Sequence, residues 1–304
     1  MAISVVDLRA KFERKRVLVA GAGGFLGQHL VRSLVGLGAE VYGVSRRSEP
    51  EMNAATLHWQ LVDLCNPDAA TEVLGKVNPQ IVYQLCSTAT GVRDINLVRP
   101  TLENDLLTTV NLLIASKQIP IERFVATDSL EVGSNEETPV SPYAAAKLAS
   151  TSYVRLFQNS FGLPSVLLRI YMTYGPGQPQ EKVIPYVIRQ LLAGEAPRLY
   201  SPDRLVDWIY VDDVIRGFLL SGVASDIEGL TIDLGSGQLK SIRDVVDKLI
   251  RISGVQVVSL SDCPQPSRPE RVRVANLELA RRKLQWEPQI SLDKGLRMTL
   301  DAWR

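Results

Sequence analysis

Short blocks of mostly apolar residues recur along the chain, and most are followed by stretches in which apolar residues return every three or four positions. Blocks at 16–20, 40–44, 59–64, 80–85, 123–126, 165–170 and 205–210 predict strands. Between them the period is helical: Phe25, Leu26, Leu30, Leu34 and Leu37 share one face, and the spans 101–118, 183–193 and the stretch bearing Tyr143 repeat the pattern. A further helix is expected after Pro67. Regular alternation of strand and helix predicts a doubly wound parallel α/β sheet covered on both faces, with ligands at the carboxyl ends of the strands. From about Pro176 the elements shorten and Pro becomes more frequent. The expected division is therefore 1–175 and a smaller C-terminal α/β lobe, 176–304, with some of its segments returning to the first domain.

The first predicted strand runs straight into Gly21-Ala22-Gly23-Gly24-Phe25-Leu26-Gly27. Glycines at 21, 24 and 27 between a strand and a helix form a dinucleotide-binding turn: the first allows the tight bend, the second a close approach to a pyrophosphate, the third close packing of the helix. A Rossmann domain follows, with Phe25 and Leu26 opening the helix whose free N–H groups face the phosphates. The second strand ends in Ser45-Arg46-Arg47 rather than in an acid. Two guanidiniums and a hydroxyl suit a 2′-phosphate, so NADP(H) is favoured over NAD(H); a solvated Arg pair is the plainer alternative. Asp63 and Leu64 close the third strand and Leu85 the fourth. Asp63 could accept from the adenine amino group or cap the helix after Pro67.

Tyr143 and Lys147 lie four residues apart, on one face of a helix. A phenol with an ordinary pKa near ~10 needs a neighbouring positive charge before it can exchange protons at neutral pH. Lys147 could supply it.

Composition narrows the alternatives. The chain has 304 residues, 45% hydrophobic and 22% charged, with a net charge of +1, which gives no concentrated basic surface for nucleic acid or a membrane. No apolar run approaches the ~18 residues that cross a bilayer. The first fifteen residues are mixed and charged, without the core of a secretory signal, so a cytoplasmic enzyme is expected. Cys65, Cys86 and Cys263 form neither a disulfide framework nor a metal set, and His29 and His58 lack partners at ligand spacing, so no metal is expected.

With these motifs in order, the chain resembles the extended short-chain dehydrogenase/reductase family, the nucleotide-sugar epimerases, dehydratases and reductases. Further strings carry the resemblance: Tyr171-Met172-Thr173-Tyr174-Gly175-Pro176-Gly177, Val206-Asp207-Trp208-Ile209-Tyr210-Val211-Asp212-Asp213-Val214, Ile232-Asp233-Leu234-Gly235-Ser236-Gly237 and Leu284-Gln285-Trp286-Glu287-Pro288. The resemblance implies a Ser or Thr beside the tyrosine. In Thr127-Asp128-Ser129-Leu130-Glu131-Val132 the register selects Ser129, with Asp128 or Thr127 taking over if it slips. It also implies hydride transfer at a sugar carbon, with Tyr143 moving the proton, Lys147 lowering its pKa and holding the nicotinamide ribose, and Ser129 orienting the carbonyl.

Departures from the family pattern order its activities. Leu130 stands where the sugar 4,6-dehydratases carry an acid, which disfavours dehydration. Met172 and Val206 replace the Asn and Arg of many epimerases, shifting nucleotide contacts toward Arg204 and Arg268. The leading expectation is an NADPH-dependent ketoreductase of a nucleotide-linked 6-deoxy keto-sugar. An NAD(P)-dependent nucleotide-sugar epimerase is second, a reductase of another small carbonyl compound third, and a non-catalytic dinucleotide sensor last. A homodimer is implied, paired through the helices around 104–116 and 143–159, with Leu106, Leu107, Val110, Leu113, Leu148, Tyr153 and Leu156 as candidate contacts.

Overall fold

Strands buried on both faces of a sheet read as continuous apolar runs, and Val17, Leu18, Val19 and Ala20 are all fully buried. The computed structural model describes residues 5–47, 52, 54–132, 138–255, 261–263 and 272–304. In chain order its elements are α1 (Val5–Phe12), β1 (Arg16–Ala20), α2 (Phe25–Gly36), β2 (Glu40–Ser45), β3 (Leu57–Leu61), α3 (Pro67–Val77), β4 (Ile81–Gln84), α4 (Val98–Thr101), α5 (Thr108–Lys117), β5 (Arg123–Ser129), α6 (Pro142–Phe161) and β6 (Ser165–Ile170). They continue as β7 (Met172–Tyr174), α7 (Val183–Leu192), β8 (Arg198–Tyr200), β9 (Leu205–Tyr210), α8 (Val211–Val223), β10 (Thr231–Leu234), β11 (Leu239–Ser241), α9 (Ile242–Ser253), β12 (Ser261–Cys263) and α10 (Leu292–Asp301).

The large sheet has seven strands in the order β10-β6-β5-β4-β1-β2-β3. β1 pairs in parallel with both β2 and β4, and β2–β3, β4–β5 and β5–β6 are parallel as well. The strand order therefore reverses between β1 and β4, the position at which a doubly wound sheet opens a crevice beyond its carboxyl ends. Leu74, Leu112, Leu113, Phe124, Val154, Phe157 and Leu167 belong to the buried cluster against this sheet.

The chain divides into two units. The first comprises Met1–Ile170, Ile215–Asp233 and Leu279–Trp286. Within it Trp286 is fully buried and carries Arg216 over its ring, 5.6 Å from the centroid, which explains the Leu284–Pro288 string as packing. The second comprises Tyr171–Val214, Leu234–Glu278 and Glu287–Arg304. It contains a three-stranded sheet, β11-β9-β7. In this unit the buried Asp207 accepts from the amides of Ser236, Gly237 and Ala275, and Asp213 from those of Gln289 and Ile290. These two carboxylates hold turns by satisfying buried backbone donors.

Three details differ from the sequence expectation. The third strand ends at Leu61, leaving Asp63 and Leu64 beyond it. Helix α3 is capped by Asn66, whose side chain accepts from Asp68 and Ala69, so Asp63 is not the cap. The expected long helix over 101–118 begins earlier, at α4, and passes through a π-helical segment, Leu102–Leu107, before α5. Among the expected dimer contacts Leu113 is buried in the core, whereas Leu107, Tyr153 and Leu156 are exposed, as is Ile114 beside them. No helix among the described residues is long and apolar enough to cross a membrane, and none of their acidic, His and Cys side chains form a metal-binding group.

Candidate active site

Strand register brings the glycine turn, the Ser45 end of β2 and the end of β4 together. Ala20 faces Val44 on one side and Gln84 on the other, and Gln84 faces Ala126. One residue further on, Gly21, Ser45, Leu85 and Thr127 line the same edge of the sheet. Gly21 has φ +81°, and a Cβ there would lie 2.7 Å from the Cys86 nitrogen and 2.8 Å from the Leu85 carbonyl carbon. Only glycine fits that bend. A Cβ on Gly27 would meet the Gly21 carbonyl oxygen at 2.2 Å, so this glycine admits the backbone of the turn itself rather than the sheet. α2 starts after Gly24 with no side-chain cap and no acid in its first turn. The amides of Phe25, Leu26 and Gly27 open this helix N-terminus, the arrangement that receives a phosphate.

Ser45 packs against Gly23, where a Cβ would come within 2.7 Å of Ser45 Oγ. That hydroxyl accepts from the Arg47 amide at 3.0 Å. Arg46 and Arg47 are both exposed. The Arg46 charge still acts on the Cys86 thiol, which burial pushes up to about 12 against the opposing pull of Lys147 and Arg46. Asp63 is exposed, with Oδ1 accepting from the Cys65 amide, while Leu64 is buried. A glycine cradle at an uncapped helix end fits the phosphates of a dinucleotide.

The carbonyl end is built on β5 and α6. Ser141 caps α6 by accepting from the Ala144 amide, and Pro142 opens the first turn. Tyr143 and Lys147 then point inward one turn apart; Tyr143 is 8% and Lys147 2% exposed, so neither is a solvated surface residue. The Ser129 and Ser87 hydroxyls both act on the Tyr143 phenol, favouring its ionised form. Ser129 is buried and accepts from the Glu131 amide at 3.2 Å. Lys147 Nζ donates to Thr127 Oγ1 at 2.9 Å and to the Thr127 carbonyl at 3.3 Å, and lies 3.6 Å from Asp105 Oδ1. Asp128 is committed elsewhere, to Arg169 at 2.9 Å.

Burial raises the Tyr143 phenol, the Ser129 and Ser87 contacts pull it down, and the Asp105 and Asp128 charges push it up, leaving it well above an ordinary tyrosine. The Lys147 ammonium is engaged by Asp105 and Thr127. Asp105 and Ser87 were not visible as site residues in the sequence. The available signal was an acidic pair, Glu103 and Asp105, among Leu102, Leu106, Leu107 and Val110. Met172, in β7, and Arg204, on the turn before β9, are half-buried members of the second unit. Arg268 lies outside the described residues.

A parallel sheet that reverses at β1 and β4, with the glycine turn at the reversal, defines a Rossmann-type dinucleotide enzyme. A family model described as the NAD dependent epimerase/dehydratase family matches residues 17–229. The chain belongs to that family and is an enzyme of the extended short-chain dehydrogenase/reductase group. It is 26% identical to a dTDP-glucose 4,6-dehydratase of Escherichia coli K12, over 94% of this chain and 92% of that one. It is 26% identical to the UDP-glucuronic acid 4-epimerase of Bacillus cereus, solved with UDP-glucuronic acid and NAD, at a TM-score of 0.83 over 94% of this chain and 98% of that one. The UDP-glucose 4-epimerase of Thermotoga maritima shares the fold at a TM-score of 0.87 and 23% identity, over 95% of this chain and 98% of that one.

Proposed function

We propose that the chain is an NADPH-dependent ketoreductase of a nucleotide-linked keto-sugar, most economically a 6-deoxy sugar. The observation that carries this reading is Ser45-Arg46-Arg47 beside the glycine turn, where a 2′-phosphate would find two guanidiniums. A bound reduced nicotinamide would supply the hydride to the carbonyl carbon. Ser129 orients the carbonyl oxygen, and Tyr143 gives that oxygen its proton. The ketone becomes an alcohol and the dinucleotide leaves oxidised. A phenol held above its ordinary range is the form such a step consumes. Lys147 and Thr127 hold the nicotinamide ribose, Asp63, Leu64 and Leu85 line the remaining dinucleotide contacts, and Met172, Arg204 and Arg268 contribute to the nucleotide sugar. Leu130, beside Ser129, supplies no acid for dehydration.

An epimerase is the second reading, favoured by the NAD-bound structure of the Bacillus cereus relative. Such an enzyme begins by removing a proton and finishes with its cofactor unchanged. The two readings separate on equilibrium binding of NADPH and NADH and on turnover of a 4-keto-6-deoxy sugar nucleotide. NADPH preference abolished by Arg46→Asp, with net NADPH oxidation that Tyr143→Phe removes, supports the reductase. Tight NAD that co-purifies, with no net oxidation, replaces it with the epimerase. The exposed Leu107, Ile114, Tyr153 and Leu156 also support a homodimer paired through α5 and α6, which sedimentation of wild type against Leu156→Glu would test.

A further inference from the structure

At the end of β2 the chain leaves the sheet, yet Ser45, Arg46 and Arg47 are tied down along their main chain. The Ser45 carbonyl accepts from the Val62 amide at 3.1 Å. The Arg47 amide donates to Ser45 Oγ at 3.0 Å, and the Arg47 carbonyl accepts from the indole Nε1 of Trp59 at 3.2 Å. Arg46 is thus bracketed by three hydrogen bonds, two of which use side chains. Both guanidiniums remain exposed.

Trp59 reaches Arg47 because Gly43 leaves it room. Register sets Trp59 of β3 beside Gly43 of β2, where paired residues share a face of the sheet. A Cβ on Gly43 would lie 2.7 and 2.8 Å from ring atoms of Trp59 and 3.2 Å from the Ala22 Cβ. The indole therefore occupies the place that a side chain at 43 would need, beside the glycine turn. From that seat its N–H can only donate and the Arg47 carbonyl can only accept, so the bond has one direction. A loop that must be ordered as it binds loses part of its attraction to conformational entropy. With the main chain already held, only the two arginine side chains are left to order around a ligand.

We propose that Trp59 is a positioning residue for cofactor choice: by holding the Arg47 carbonyl it fixes the turn at 45–47 so that Arg46 and Arg47 meet a 2′-phosphate. This rests on the reading of Ser45-Arg46-Arg47 as the 2′-phosphate site. Trp59 acts through the main chain of Arg47 rather than on the phosphate itself. A dinucleotide without that phosphate makes no use of the turn, so Trp59 controls selectivity rather than binding in general.

The test is calorimetric binding of NADPH and of NADH to the full chain. Trp59→Phe keeps a ring against Gly43 and removes the N–H. It is expected to raise the NADPH dissociation constant about three- to tenfold, the effect of one lost hydrogen bond, and to leave that of NADH within about twofold. In a protein already carrying Arg46→Ala and Arg47→Ala, adding Trp59→Phe is expected to change NADPH binding by less than about twofold, because Trp59 acts only through those two side chains. An unchanged NADPH constant in Trp59→Phe overturns the proposal. So does an equal loss for both dinucleotides, which would make Trp59 a general packing residue, and so does a full effect in the background lacking both arginines. Should Trp59→Phe not fold, Gly43→Ala decides, because its methyl displaces the ring: a comparable fall in NADPH selectivity supports the proposal and an unchanged selectivity overturns it. The cofactor reading fails separately, if the wild type binds NADH as tightly as NADPH, and the inference then falls with it.

Discussion

The two ends of the first unit's crevice are built on different principles. At the end proposed for the carbonyl, Ser129, Tyr143, Lys147 and Asp105 are all buried, and Ser129, Lys147 and Asp105 have hydrogen-bond or ionic partners within the chain. At the end proposed for the adenosine, Arg46, Arg47 and Asp63 are exposed, and the Ser45 hydroxyl accepts from the neighbouring Arg47 amide. Buried polar groups must be satisfied in advance, so the protein fixes their geometry before anything binds. Exposed guanidiniums cost little to leave in water and take their order from a ligand. Chemistry is therefore preset at one end and recognition is completed at the other.

The harshest way to break this contrast is Tyr143→Phe, which deletes the proton donor and leaves the adenosine end intact. Turnover is expected to fall ~10²–10⁴-fold, with NADPH binding nearly unchanged in a fluorescence titration. Arg46→Asp does the reverse. Loss of a charged hydrogen bond is worth ~1.5–3 kcal/mol, or about ten- to a hundredfold in the NADPH dissociation constant, while turnover at saturating cofactor is kept. Loss of both properties together from either change would show that the two ends are not separate. Gly27→Ala strikes the turn that the two share. The added methyl meets the Gly21 carbonyl, and an overpacked site costs ~1–3 kcal/mol, readable as a lowered melting temperature and weaker binding of both dinucleotides.

The gentlest probe changes no atom. Burial raises the phenols of Tyr83, Tyr143 and Tyr174, and that of Tyr210 to about 12. An unfolded tyrosine ionises near ~10. Below that pH both states hold the proton, and above it the unfolded chain loses its protons first. The folded state then binds more protons, so stability is full below about pH 10 and is lost as the pH rises toward the folded values. Chemical denaturation at stepped alkaline pH should show this decline, and Tyr83→Phe, remote from both ends of the crevice, should soften it without touching NADPH binding. A decline that vanishes only in Tyr143→Phe would assign it to the carbonyl end.

Residue pattern revealed more of the sheet than of the site. Runs such as 165–170 coincide with β6 because a strand covered on both faces has no polar alternation to disguise it. The glycine turn was legible for a similar reason: φ and close approach leave one residue type. β9 was placed as a strand, but its membership of a separate sheet was not, since pairing partners are set by register rather than by the strand's own residues. Asp105 was hidden because helical periodicity assumes one residue per 100°, and a π segment breaks that count. The partner of Lys147 escaped for the same reason, since Lys147 could be seen from the four-residue spacing while the carboxylate 3.6 Å from it could not.

A π turn is an α-helix with one residue too many, so Leu102–Leu107 divides the long wall into two rods whose faces are offset by about 100°. Asp105 lies within that segment, turned inward; beyond it Leu112 and Leu113 fill the core. Deleting a single codon within that segment would do more than shorten the helix. It would bring the two faces back into phase by rolling one rod against the other, exchanging the buried acid for an aliphatic neighbour in one step. A lineage could thus gain or lose the inward carboxylate by one insertion or deletion, without altering a residue that touches the substrate.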